Sequence, residues 1–355
     1  MTIRNELAYP EKPHLEYSYK GAIAIHQEMN IRGVKQALLP SISTINRVIK
    51  EQGLVTPKIK PERSKSGLYY PSILACYPNH RHELDLVTPR YIAGFGKVVS
   101  VNRIDAFTSR ANLQVYQAKG ADNVIDFLVD DWKKSGIPEY LQIDNEASFR
   151  GGMYYPKSIG KLIRFCLNFN VQIIFIPWKE PWRNPFIENF NGHFNRQLWL
   201  KKRFLDLDHL RVEAQKFLVR HNSYQSYKKK HFSEQRLQSH TAKFLPENFY
   251  FNPETLLPIT EGKIHFVRLV EENGSVTVLN ESFQTSKNLS FDYVWATIDT
   301  ATEMLNIYHK AGKNEKRLLV KELKYKLREQ VCNRVPVKNF CQCQRCPDTK
   351  VSTMS

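Results

Sequence analysis

Apolar positions near the start of the chain recur at helical spacing. Ile42, Ile45, Val48 and Ile49 fall every three or four residues, Ser41 and Ser43 are both suited to cap the run at its start, and Gly53 suits its end. A proline-free stretch from Tyr19 to Asn30 predicts a preceding helix. On the second helix, Ser43, Thr44, Asn46, Arg47 and Lys50 project away from the apolar stripe. A short helix with such a face, following another helix, is what a helix-turn-helix uses to read a major groove. A small helical bundle with a polar outer face has the same periodicity. Residues 1–54 therefore read as a DNA-binding segment or as that simpler bundle.

The pattern then changes three times. Residues 55–79 carry Pro57, Pro61, Pro71 and Pro78 together with Lys58, Lys60, Arg63 and Lys65, and read as an extended basic linker. Over 80–245 the expected order is three strands (Leu84 to Val87, Lys97 to Ile104, Ala111 to Tyr116), a helix over Ala121 to Lys134 and a strand over Tyr140 to Ile143. A helix over Lys157 to Phe169, a strand over Val171 to Ile176 and a further helix follow. That order predicts an α/β unit, a mixed sheet covered by helices. Short β-rich stretches over 258–300 fit a small β-barrel. Within 301–355, Leu318, Leu319, Leu323 and Leu327 lie at helical spacing in a lysine- and arginine-rich stretch, which predicts a basic helix before a cysteine-containing tail.

Charge narrows the function. The 355 residues include 52 Lys and Arg against 35 Asp and Glu, a net charge of +17. Such a field concentrates phosphate-bearing polymers, so double-stranded DNA is the first expected partner, with a ribosome-like or membrane-surface protein as the plainer alternative. With 42% hydrophobic residues the chain can build globular cores, which excludes a wholly disordered or fibrous protein. It has neither an apolar run of the roughly 20 residues a membrane helix needs nor a secretory leader. The expected location is cytoplasmic and nucleoid-associated, or nuclear in a eukaryotic host. Six cysteines are too few for a disulfide scaffold. Four of them, Cys332, Cys341, Cys343 and Cys346, are candidate zinc ligands, although the single residue between Cys341 and Cys343 departs from the usual pairs.

Three acids stand out by position. Asp85 lies inside the first expected strand, in His82-Glu83-Leu84-Asp85-Leu86-Val87. Asp144 ends the fourth, in Gln142-Ile143-Asp144-Asn145. Glu188 falls in the first turn of a helix opened by Asn184 and Pro185, with Ile187, Phe190, Phe194 and Leu198 as its buried stripe. An acid beside an apolar strand is unfavourable unless something pairs with it, and a hard divalent cation would do so. Each also has an ordinary explanation: a turn former for Asp144, helix-dipole complementation for Glu188, and Glu83 as the alternative to Asp85 on the same strand face. Asp105, after the second strand, is explained by a strand-end turn.

Taken together, Asp85, the Gln142 to Asn145 motif and Asn184-Pro185-Phe186-Ile187-Glu188-Asn189-Phe190 resemble the catalytic core of the retroviral-integrase and insertion-sequence transposase superfamily. The resemblance implies a ribonuclease-H-like core, flanked by the N-terminal helix-turn-helix and by a small barrel beginning at Gly262-Lys263-Ile264-His265. It also implies Asp85, Asp144 and Glu188 as the catalytic, metal-holding triad. The 43 residues between Asp144 and Glu188 exceed the spacing in the best-known members. Gly151 to Pro156 and Pro177 to Pro185 are the places for the surplus, and Glu180 is the alternative third acid. The implied activity is end cleavage and strand transfer of a mobile element, with two Mg²⁺ ions (Mn²⁺ as substitute) about 3.5–4 Å apart. A homo-oligomer holding two DNA ends is implied as well. Lys179, Arg183, Arg196, Lys228, Lys229 and Lys230 are the expected phosphate contacts around that core, with Trp182 beside them. A silent, transposase-derived DNA-binding regulator and a ribonuclease-H-like nuclease are the competing readings.

Overall fold

In a computed structural model describing residues 3, 21–54, 68–152, 155–224 and 242–335, the first segment forms two helices, α1 (Ala22–Ile31) and α2 (Ile42–Glu51). Ser41 caps α2 by accepting the Thr44 N–H at 3.1 Å, and Gly53 follows it at a φ of +65°. Ile45 and Ile49 are buried against Ala22, Ala24 and Ile25, whereas Val48 stands in solvent. The apolar contact is therefore narrower than the periodicity predicts.

The central unit follows the expected order. Strands β1 (Arg81–Ile92), β2 (Gly96–Asp105) and β3 (Ala111–Tyr116) form an antiparallel meander. Helix α3 (Ala121–Lys134) then leads to β4 (Tyr140–Ile143), α4 (Ala147–Arg150) and α5 (Lys161–Asn168) to β5 (Gln172–Phe175). Finally α6 (Pro185–Phe194), prolonged by a π-helical turn over Asn195–Trp199, leads to α7 (Leu207–Tyr224). Strand β4 lies parallel to β1, and β5 parallel to β4. β1 is longer than its apolar stretch predicts, because it continues past a shift of register between Val87 and Arg90, where the sequence places Pro89.

Alternation along these strands divides the interior in two. Leu84, Leu86, Val99, Val101, Leu141 and Ile143 point into a core covered by α3 and α5. Residues of opposite parity, Val98, Ile104, Leu113 and Val115, meet Ile187, Phe190, Phe194 and Leu198 of the α6 stretch and Leu210 and Phe217 of α7. Glu83 and Asp85 share the parity that faces α6.

Two expectations for the C-terminal part are corrected. After β6 (Ile259–Thr260), strand β7 (Lys263–Leu269) pairs in parallel with β5. The hairpin β8 (Ser275–Val278) and β9 (Glu281–Gln284) follows, and then β10 (Tyr293–Asp299), β11 (Met304–His309) and β12 (Leu318–Lys324) extend the same sheet before β13 (Val331–Cys332). One nine-stranded sheet results, in the order β12-β11-β10-β7-β5-β4-β1-β2-β3. Among the described residues, 258–300 is thus no separate barrel: the apolar β5 would be an open edge, and β7 covers it. The basic helix expected across Lys310 to Arg334 is likewise a strand over Leu318–Lys324, which holds three of its four leucines. The free edge of β11 offers backbone partners to Leu318–Lys324, and Leu318 and Leu319, two of the four leucines in the supposed stripe, are exposed.

The described part of the linker, 68–79, is extended but docked. Tyr70 and Ile73 pack on Ile174, Val267, Tyr293 and Trp295, and Arg81 donates to the Ile73 carbonyl at 2.6 Å. Between Asp144 and Glu188, Gly151 and Gly160 approach each other at the two ends of a loop. Gly151, at a φ of +95°, lies so close to Gly160 that a Cβ on either would collide with the other's backbone. The loop rests on the two-residue turn of the β8–β9 hairpin, where Asn280 donates to the Tyr155 carbonyl at 3.1 Å.

Candidate active site

Register brings the first two acids together. Glu83 of β1 lies opposite Gln142 of β4, so two residues further along each parallel strand Asp85 comes beside Asp144, just past the end of β4. Neighbouring strands lie about 4.8 Å apart, and both residues have the parity that faces α6.

The partners two residues back hold the helix carrying the third acid. Buried Glu83 accepts the backbone N–H groups of Phe186 and Ile187, each at 3.0 Å, and pairs with Arg81 at 3.0 Å. Gln142 donates to the Arg183 carbonyl at 3.1 Å and to the Asn184 side chain at 2.6 Å. The N-terminus of α6, whose unsatisfied N–H groups favour negative charge, is thereby tied to the two strands that bear Asp85 and Asp144. Glu188 lies in that first turn, exposed, three residues before Asn191 and hence on the same helical face. Asn191 donates to Asp85 at 2.7 Å while accepting from Asn102 of β2 at 2.7 Å, and Asn102 in turn accepts from Ser100. This relay leaves the Asn191 amide one orientation, with its NH₂ toward the carboxylate.

The charge of Asp144 reaches both Asp85 and Glu188, and that of Glu188 reaches Asp85. Burial, then the charges of Asp144 and Glu188, push Asp85 up to about 7. Burial and then Asp144 raise Glu188. Burial also raises Asp144, while the Glu146 N–H it accepts at 2.9 Å and the nearby Lys119 oppose the rise. Hard carboxylate oxygens, two of them raised further by a neighbouring acid, are the donor type that Mg²⁺ or Mn²⁺ takes, such sites using one or two carboxylates with water and substrate phosphate as remaining ligands. They do not form a closed cage: among the described residues no three His, Cys, Asp or Glu side chains are grouped tightly enough to hold an ion by themselves.

Behind Asp144 the backbone is pinned by a buried cation. Arg268 of β7 donates to Asn145 Oδ1 at 2.8 Å and to the carbonyls of Ile176, Val267 and Thr277 at 2.9 to 3.0 Å, and Asn145 itself donates to the Ile176 carbonyl at 2.7 Å. The C-terminal strands thus brace the residue next to Asp144. Burial, then neighbouring Arg150, pull Arg268 down to about 9.

Other expected residues divide clearly. Ser43, Thr44, Asn46, Arg47 and Lys50 are exposed on α2, with the Thr44 hydroxyl bonded to Ser41. Lys179 and Arg196 are exposed near α6. Arg183 is not a free phosphate ligand: it pairs with Glu180 at 2.9 Å, donates to Tyr293 at 3.0 Å and stacks on Tyr70 at 4.0 Å. Glu180, the alternative third acid, pairs with Arg183 and accepts from Tyr293 at 2.8 Å. Asp105 accepts the N–H groups of Asn79, Phe107 and Thr108, a strand-end turn. Lys228, Lys229, Lys230, Cys341, Cys343 and Cys346 lie outside the described residues, and Cys332 is exposed with a free thiol.

Sequence reading assigned no role in the site to Gln142, Asn102 or Arg268, and weighed Glu83 only as the alternative to Asp85. Two of these had a visible signal, since Glu83 and Gln142 precede their acids by one strand period. Arg268 had a weaker one, a charge within Phe266-Val267-Arg268-Leu269.

No protein-family profile and no curated protein matches the chain. Solved structures similar to it include the HTLV-2 integrase catalytic core domain in complex with magnesium, 16% identical, with a TM-score of 0.31 over 40% of this chain and 86% of that one. The catalytic core domain of BIV integrase is 12% identical, with a TM-score of 0.30 over 40% and 82%. A simian T-cell lymphotropic virus intasome in complex with PP2A regulatory subunit B56 gamma matches at 12% identity and a TM-score of 0.33 over 87% and 99%.

Proposed function

We propose that the chain is a DNA-processing polynucleotidyl transferase that cleaves and joins the ends of a mobile element. One observation carries the reading: Asp85 and Asp144 sit in register on two adjacent parallel strands, a helix tied to both carries Glu188, and the charges of Asp144 and Glu188 add to burial in raising Asp85, in a chain of net charge +17. Divalent Mg²⁺ or Mn²⁺, when bound there, supplies Lewis-acid activation of oxygens at phosphorus. Asp85 and Asp144 would hold the ion, with Glu188, in the first turn of α6, as the third carboxylate. Asn191 keeps Asp85 turned by its hydrogen bond, and the Arg268–Asn145 brace fixes the chain beside Asp144. No protein nucleophile is needed, since water and a DNA 3′-hydroxyl serve as successive attackers. The exposed face of α2, with Lys179 and Arg196, supplies contacts to double-stranded DNA. A homo-oligomer would hold two ends at once.

A second reading, a catalytically silent DNA-binding regulator, is favoured by the lack of a closed ligand group among the described residues. The two separate in an assay of Mg²⁺- or Mn²⁺-dependent nicking and joining on terminal repeats flanking the gene. The enzyme reading expects both reactions, and Asp144→Asn to abolish both while still binding DNA. Binding without any nicking by the unmutated protein would establish the regulator instead. No helix among the described residues is long and apolar enough to cross a membrane.

A further inference from the structure

Beside the acids, the loop leaving β5 presents an indole to solvent. Ile176 is locked to the acid-bearing loop, its N–H bonded to the Ile143 carbonyl at 3.1 Å and its own carbonyl to Asn145 at 2.7 Å. Two residues on, Trp178 is 45% exposed, between buried Pro177 and exposed Lys179, whose φ is +59°. The guanidinium of Arg150 lies 4.9 Å from the centre of the Trp178 ring. Arg150 comes from α4, directly after the Asp144 loop, and is itself only 4% exposed. It donates to Asn280 of the β8–β9 turn at 2.8 Å, its Nε has no hydrogen-bond partner, and no carboxylate pairs with it among the described residues. A buried cation without an anion is unfavourable, and a π-face partly offsets it. That contact holds the indole in place from one side and leaves it accessible from the other.

We propose that Trp178, backed by Arg150, is a stacking platform for an unpaired base at a DNA end, deepening the reading of the carboxylate site above, on which it rests. The occupant follows from the surroundings. The indole rests on the Arg150 guanidinium and is followed by the exposed Lys179, so the charge beside it is positive and suits a phosphate-bearing partner better than an apolar protein surface. A base has the planar face the ring can accept, and its phosphate suits Lys179. Bases inside a duplex are stacked on one another and have no free face. Only an unpaired base, such as one splayed at a frayed or processed end, can use the ring.

The test measures binding of the full chain in EDTA, where no turnover occurs, to a blunt duplex and to the same duplex with a short single-stranded overhang carrying 2-aminopurine. The expected result is tighter binding of the overhang with quenched 2-aminopurine. Trp178→Leu should lose roughly tenfold on the overhang and nothing on the blunt duplex, and Trp178→Phe should retain most of the preference. Thermal unfolding checks that both variants are folded, the leucine keeping packing over Arg150 without a π-face. Equal affinity of the unmutated protein for both DNAs, or an undiminished preference in a folded Trp178→Leu, overturns the platform. Failure of nicking and joining with normal end discrimination overturns the enzyme reading and leaves the platform standing.

Discussion

Replacing Asp85 with Asn should make the metal-free protein more stable while abolishing its chemistry. The folded protein holds the Asp85 carboxyl near 7 against an ordinary value of 3.8, through burial first and then the charges of Asp144 and Glu188. Each pK unit corresponds to about 1.4 kcal/mol, so the ionised carboxylate disfavours the fold by up to about 4 kcal/mol above pH 7. The direction follows from proton binding. A carboxyl whose folded pKa is raised binds more protons folded than unfolded, so its contribution is fully present below pH 3.8, falls as pH rises, and is lost above about 7. An Asn at 85 can still accept the Asn191 N–H and carries no charge at any pH. Urea unfolding in EDTA at pH 8 should therefore show Asp85→Asn more stable than the unmutated chain by about 2 to 4 kcal/mol, with the advantage vanishing toward pH 4. Added Mn²⁺ should raise the melting temperature of the unmutated chain alone. Equal or lower stability of Asp85→Asn at pH 8, or an advantage that persists unchanged at pH 4, would refute the electrostatic account of the site.

Three further outcomes are expected. Glu83→Ala leaves the Phe186 and Ile187 N–H groups and the Arg81 guanidinium without their carboxylate, and should lower stability by roughly 3–5 kcal/mol in urea unfolding. Arg268→Lys and Asn145→Ala act on one brace, so a double-mutant cycle on Mn²⁺-induced stabilisation should show coupling above about 0.5 kcal/mol, whereas additive losses would mean that Asn145 is held by other contacts. Arg47→Ala should weaken DNA binding at all sequences and reduce the salt dependence by about one phosphate contact, whereas an unchanged salt slope would take α2 off the DNA.

The central elements were legible because their cause is local. Ala121–Lys134, Ala111–Tyr116 and Tyr140–Ile143 form where periodicity places them, and Ile187, Phe190, Phe194 and Leu198 are all buried as their spacing predicts. Val48 and the leucines beyond Lys310 misled for one reason: helical spacing reports which residues could share a face, not whether another element arrives to cover it. At Leu318 the available partner was the open edge of β11, and backbone pairing prevailed over the stripe.

The acids show the same division at the scale of the site. By itself the sequence determined which carboxylates are candidates, since strand and helix context, residue type and alternation are all local properties. It determined too that the chain carries an excess of positive charge suited to a phosphate polymer. What lies opposite Glu83 and Asp85, which share a strand face, or around Glu180 and Glu188 is set by the fold and not by local pattern. Arg81 and two helical N–H groups engage Glu83, and Arg183 and Tyr293 engage Glu180, while Asp85 accepts from Asn191 and feels the charges of Asp144 and Glu188. Pairing β7 with β5 delivers Arg268 to Asn145, 123 residues away along the chain, and no spacing encodes a contact that arises only when two sheet edges meet.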